Sequence, residues 1–181
     1  MGVMNPLPTP AAAHNVPAVP AVPADSGAAV WRGSRFDALS GHDLDAIYRA
    51  RQLVFVLEQQ CAYLDADGCD SASFHLTAWA AAATAAAPLV LAYARILPPG
   101  LKYAEPAIGR VLTRAEVRGT GLGRELVRRA VAQTQLAFPG HAIRISAQAH
   151  LRAFYAAAGF VSVGAPYLED GIAHLEMLRD A

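Results

Sequence analysis

The segment Arg118-Gly-Thr-Gly-Leu-Gly123 places three glycines in six residues, just ahead of a stretch with helical periodicity. Glycine lets the backbone approach a ligand closely, and a helix N-terminus adds roughly half a positive charge. The chemistry offered is the binding of a phosphate or pyrophosphate. A nucleotide P-loop would end in Gly-Lys-Ser/Thr, whereas this one runs Gly123-Arg124-Glu125. A dinucleotide fingerprint needs G-x-G-x-x-G, but glycines 119, 121 and 123 alternate, and no acid ends a second strand about twenty residues on. Spacing alone also allows a glycine-rich turn that binds nothing.

The second group is acidic: Asp65, Asp67 and Asp70, between Cys61 and Ser73. Such a cluster could hold an amine by charge. As a calcium loop it fails, because Gly68 in the sixth position puts Tyr63 first and Phe74 twelfth, where carboxylates are required. Cys61 and Cys69, the only cysteines, have neither C-x-x-C spacing nor a matching histidine set, so the expectation is two reduced thiols and no metal. Lys102 is the sole lysine, which confines ammonium chemistry to one side chain.

Composition removes several partners. Lys+Arg and Asp+Glu are each 15, without the clustered basic excess that nucleic-acid binding requires. Thr77, Thr84 and Pro88 interrupt the alanine-rich run before it reaches the length of a membrane span. Prolines break up the N-terminal stretch where a signal peptide would need a continuous apolar segment. The expectation is a cytoplasmic protein with neither nucleic-acid nor membrane partners.

The elements that must position these groups follow from the patterning. Six of the twelve prolines precede residue 24, and residues 1–30 read as a disordered Pro/Ala-rich tail. Residues 31–181 form one domain. A short strand is predicted near Phe36 to Leu39. Ser40 or Asp43 then caps a helix with Leu44, Ile47, Tyr48, Arg51 and Phe55 on one stripe. After an acidic loop from Cys61 to Ser73 come strands near Phe74 to Ala81 and Leu89 to Leu97, paired as a hairpin. Ile108 to Thr113 is a further strand, and Gly121 to Phe138 a helix ended by Pro139-Gly140. Ile143 and Ile145 alternate with Arg144 and Ser146 in the next strand; His150 to Ala158 is a short helix stopped by Gly159. Strands at Phe160 to Val163 and Ile172 to Leu178 complete an α/β fold, a mixed sheet with helices on both faces.

The glycine segment, as Arg118-x-x-Gly121-x-Gly123, resembles the Q/R-x-x-G-x-G/A loop of the GNAT family of N-acetyltransferases, whose amides hold the pyrophosphate of acetyl-CoA. Tyr155 followed by Gly159-Phe160 resembles the same family's Tyr-x-x-x-Gly-Phe helix, and the order of elements is similar to that fold's. The resemblance sharpens toward the ElaA-like branch in Val54-Phe-Val-Leu-Glu-Gln-Gln-Cys-Ala-Tyr63, Asp67-Gly-Cys-Asp70 and Tyr93-Ala-Arg-Ile-Leu97. It continues through Ile108-Gly-Arg-Val111, Ala147-Gln-Ala-His-Leu151 and Glu169-Asp-Gly-Ile-Ala-His174, and covers the chain from about residue 36 to its end. One departure is Gln148, which stands where the wider family has an asparagine seven residues before the tyrosine.

The resemblance implies acetyl-CoA as co-substrate, lying between two parallel strands that splay apart around Val111 to Thr113 and Ile143 to Ala147. Backbone groups of Val111, Leu112 and Thr113 would pair with the pantetheine. Arg118, Gly119, Thr120, Gly121, Leu122 and Gly123 would hold the pyrophosphate, and Gln148 would add an amide contact. The amine attacks directly, so neither cysteine need be a nucleophile. Tyr155 would protonate the leaving thiolate; its alternative reading is a core aromatic. The family's usual glutamate base is missing, since Arg110 is the only ionisable residue between Ile108 and Thr113. Glu58, Asp67, Asp70, His75 and His174 are the candidates for a base or an amine-binding group, and each also reads as a solvated acid or hydrogen-bonded histidine. The acceptor is a small-molecule amine or a protein amino group, and a homodimer is compatible with the fold. Two other functions fit the same residues: a silent acyl-CoA-binding sensor and a protein-interaction module with an empty loop.

Overall fold

The computed structural model describes residues 29–61, 63–81 and 88–181. Nearly all of the expected tail, and the alanine-rich turn before Pro88, lie outside the described residues. The strands are β1 (Val30–Arg35), β2 (Phe74–Trp79), β3 (Val90–Leu97), β4 (Ala107–Thr113), β5 (Ile143–Gln148), β6 (Val161–Glu169) and β7 (Ile172–Arg179). The helices are α1 (Gly41–Arg51), α2 (Leu122–Ala137) and α3 (Arg152–Ala156), with a π-helix over Gln52–Glu58 continuing α1. They build one seven-stranded sheet in the order β1-β2-β3-β4-β5-β7-β6, in which only β4 and β5 run parallel.

Strand β3 is buried along its whole length because helices cover both of its faces. Val90 and Tyr93 point to the α1 side, where Ile47, Ala50, Val54 and Phe55 meet them. Ala92, Ala94 and Ile96 point to the α2 side, against Leu126, Val127, Ala130 and Val131. The small residues of β3 let α2 approach closely. Helix α1 starts at a capping box: the Asp43 amide donates to Ser40 Oγ and the Ser40 amide donates to the Asp43 carboxylate, both at 3.1 Å. Such a cap contributes about 1 kcal/mol. No helix among the described residues is long and apolar enough to cross a membrane.

Besides the π-helix, three elements differ from the expectation. The first strand lies at Val30–Arg35, and Phe36–Ala38 is a 3₁₀ turn. β1 is an exposed edge strand, so selection for alternating apolar residues is weak; its fit depends on Gly33, where a Cβ would stand 2.7 Å from the Phe74 ring. β6 runs to Glu169, beyond the expected end at Val163, because a register irregularity between Val163 and Tyr167 absorbs Gly164 (φ +75°) and Pro166. The helix around Tyr155 is shorter than predicted, with a 3₁₀ turn at Ala149–Leu151 preceding α3.

Candidate active site

β4 and β5 are in register at a single pair, Ala107 with Arg144, and separate beyond it. The separation is aided by a bulge: Tyr93 pairs with Leu112 and Arg95 with Gly109, which leaves Arg110 and Val111 opposite Ala94. Arg110 takes the left-handed conformation this needs, at φ +52°. A cleft of about 380 Å³ occupies the opening, lined by Gly109, Arg110 and Val111 from β4, Ile145 to Gln148 from β5, and Tyr155.

Pleating divides this cleft into two sides. Ile145 and Ala147 of β5 face the core shared with α2 and α3, as do Leu175 and Met177 of β7. Ser146 and Gln148 therefore point to the opposite face, with their register partners Glu176 and His174.

On the helix side, the glycine segment forms the turn into α2. Gly119 and Gly121 have φ of +79° and +92°, and the space in front of both is open, since a Cβ added to either would meet no atom within 4 Å. A Cβ at Gly123 would touch Thr113 and Phe154, which fixes the loop against β4 and α3. This exposed turn, with its amides at the start of a sixteen-residue helix, suits a pyrophosphate. Arg118 is not free to meet it: its guanidinium donates to Glu58 at 2.6 and 2.9 Å and to the Thr113 carbonyl at 3.0 and 3.2 Å.

Tyr155 is buried between Phe154 and Phe160, in edge-on contact with both. It lines the cleft, and its hydroxyl has no hydrogen-bond partner among the described residues. Burial pushes its phenol up to about 12, so it keeps its proton throughout the physiological range.

The acidic cluster is a lattice of three aspartates and three arginines, buried at Arg51, Asp65, Asp70 and Arg95 and reaching the surface at Asp67. Asp70 accepts from Arg51 and Arg95, each at 2.8 Å; Asp67 accepts from Arg95 at 2.6 and 2.7 Å and Arg110 at 3.1 Å; Asp65 accepts from Arg51 and Arg110 at 2.8 Å. The arginines hold the Asp67 and Asp70 carboxylates below the usual range despite burial, which acts the other way. Both carboxylates, expected as base or amine-binding groups, are therefore already committed to arginines. Their charges are neutralised, and Asp70 does not line the cleft. His75 is committed in a related way. It is 1% exposed, its Nε2 donates to the Asp70 carbonyl at 3.0 Å, and its Nδ1 accepts from the Tyr93 hydroxyl at 2.8 Å. Burial pushes its pKa down and keeps the ring neutral. Glu58 is tied to Arg118 outside the cleft.

His174 is the member of that candidate set left facing the cleft with an uncommitted donor or acceptor. Its Nδ1 lies 2.9 Å from the Ile172 carbonyl, and its ring stacks on Tyr167 at 6.0 Å. Gln148 also faces the cleft, where its Nε2 donates to Gln59 Oε1 at 3.0 Å across the opening. Sequence reasoning passed over Gln59, Ser146 and Tyr167. Gln59 leaves the π-helix at its last turn, and a π-helix beside a functional site is a recurrent arrangement. Ser146 and Tyr167 share a 2.5 Å hydrogen bond, and Tyr167 also donates to Glu176 at 3.1 Å. Cys61 is buried, and its thiol is pushed up by desolvation and by the nearby Asp170 and Glu169. Among the described residues no His, Cys, Asp and Glu side chains gather as a metal site.

A family model described as "Acetyltransferase (GNAT) domain" matches residues 82–180. The UPF0039 protein sll0451 of Synechocystis is 45% identical, over 82% of this chain and 93% of that one. An acyl-CoA N-acyltransferase structure from Pseudomonas aeruginosa superimposes with TM-score 0.77 at 37% identity, covering 83% of this chain and 99% of the other. The ElaA structure from Escherichia coli gives TM-score 0.77 at 33% identity, covering 84% and 99%.

Proposed function

The chain belongs to the GNAT acetyltransferase family, in the branch that holds ElaA and the UPF0039 proteins, and we propose that it moves an acetyl group from acetyl-CoA to a primary amine by direct attack. The observation that carries this reading is the cleft where β4 and β5 part, lined by Tyr155 on one side and by a polar face on the other, with an open glycine turn where the chain passes from β4 into α2. The residues present fit the co-substrate: an open turn of glycine amides for its pyrophosphate, and strand edges of Val111, Leu112 and Thr113 free of β5 for its amides. Bound there, it supplies an activated acyl group.

The chain's own groups then have separate tasks. A backbone N–H freed at the β4 bulge would stabilise the charge that develops on the thioester oxygen. Tyr155 donates a hydrogen bond to the departing sulfur. With its phenol near 12, full proton transfer becomes favourable only as desolvated negative charge builds on that sulfur. The Gln59–Gln148 bridge spans the cleft on the acceptor side.

The test is release of free CoA from acetyl-CoA, followed with a thiol reagent and hydroxylamine as a small nucleophile. Nucleophile-dependent release is expected. Binding of acetyl-CoA without release would overturn transfer and leave a silent sensor.

A further inference from the structure

We propose that His174 is the general base that deprotonates the acceptor amine, from the face of the sheet opposite Tyr155. The inference rests on the acyl-transfer reading and names the residue that the missing β4 glutamate leaves unassigned.

A base for this reaction must stand on the acceptor side, hold a lone pair at neutral pH, and point into the cleft. A backbone carbonyl can only accept, so the 2.9 Å contact with Ile172 fixes the proton of a neutral His174 ring on Nδ1 and leaves Nε2 as the acceptor. Stacking on Tyr167 and pairing of β7 with β5 at Gln148 fix the ring's orientation. The charged and titratable groups at that end of the cleft come from each neighbouring element. They are Tyr167 and Glu169 of β6, Asp170 in the turn, Glu176 of β7, Cys61, Tyr63 and Asp67 after the π-helix, Lys102 and Tyr103 from the loop before β4, and the arginines Arg95 of β3 and Arg110 of β4.

None of these replaces it. Asp67 is neutralised by Arg95 and Arg110, and Glu176 accepts from Tyr103, Tyr167 and Arg144. Tyr103 and Cys61 keep their protons at neutral pH, because burial and nearby acids push both up. Lys102 carries positive charge and repels an ammonium. Glu169 and Asp170 are exposed at the rim of the cleft, where they attract a cationic amine toward His174.

The proton balance is complete without another reagent. Nε2 takes one proton from the ammonium, and the freed lone pair forms the C–N bond to the acetyl carbon as the C–S bond breaks. The nitrogen, made acidic by its bond to the acetyl carbon, sheds its second proton to solvent; the imidazolium passes its own to solvent, and Tyr155 gives one to the sulfur and regains one from solvent. One proton is released to solvent per turnover.

Hydroxylamine is largely unprotonated at neutral pH, whereas propylamine is almost wholly an ammonium, so the two nucleophiles separate base catalysis from everything else. The experiment measures CoA release with each for the wild type and His174→Gln. Loss of about 100-fold with propylamine, a typical contribution of a general base, with hydroxylamine turnover largely kept, is expected. The retained hydroxylamine rate also reports that the variant folds. Equal losses with both nucleophiles, no loss with either, or a wild type that uses hydroxylamine but not propylamine would each overturn His174 as the base while transfer stands. No release with either nucleophile would instead overturn the acyl-transfer reading.

Discussion

At the scale of single residues, the function divides between Tyr155 and groups whose roles come from what they are bonded to. Tyr155→Phe removes the hydroxyl and keeps the ring packed against Phe154 and Phe160. It is expected to lower kcat roughly 100-fold and leave acetyl-CoA affinity unchanged by calorimetry; an unchanged kcat would make Tyr155 a core aromatic. Residue types were legible in the sequence, but their pairing was not. Asp67, Asp70 and His75 have the chemistry of a base or an amine site, yet Arg51, Arg95 and Arg110 come from α1, β3 and β4 to occupy the two carboxylates, and Tyr93 and the Asp70 carbonyl occupy the imidazole. Nothing in the local sequence around Asp70 announces an arginine 19 or 25 positions away. The one available clue was Arg51 on the buried stripe of α1, which at 0% exposure must be paired. Gln59 was likewise invisible as a site residue, because its role depends on meeting Gln148 across 89 residues of chain.

At the scale of elements, the glycine turn and the β4–β5 opening do the positioning. Gly121→Val places a β-branched side chain at φ +92°, a conformation that costs on the order of 1–3 kcal/mol at such a residue. It is expected to weaken acetyl-CoA binding at least tenfold by calorimetry while hydroxylamine turnover at saturating co-substrate falls much less; wild-type affinity would place the pyrophosphate elsewhere. Glycine spacing made this turn readable, and strong periodicity made α2 and the central strands readable. β1 escaped because edge strands carry little apolar alternation, and the bulge at Arg110 escaped because no glycine marks its positive φ. The π-helix escaped because its apolar residues continue the stripe of α1.

For the whole molecule, the ionic lattice and the histidine packed beside it make stability depend on pH in two steps. His75 has a lowered pKa in the folded state, so its contribution is present above the unfolded value of 6.5 and is lost as pH falls below it. Asp67 and Asp70 are also lowered, so theirs persists above the unfolded value of 3.8 and is lost as pH falls further. Urea midpoints are therefore expected to decline gently below about pH 6.5 and steeply below about pH 4, with the upper step absent in His75→Gln; a flat profile down to pH 4 would deny the neutral burial of His75. The most direct test of the account as a whole is thermal unfolding of the full chain with and without acetyl-CoA. Ligand at a hundredfold excess over Kd stabilises by about 2.7 kcal/mol, a rise of roughly 5–10 °C for a domain of this size. That rise is the predicted result; an unchanged Tm at millimolar acetyl-CoA would contradict it, because the glycine turn and the opening between β4 and β5 would then hold nothing.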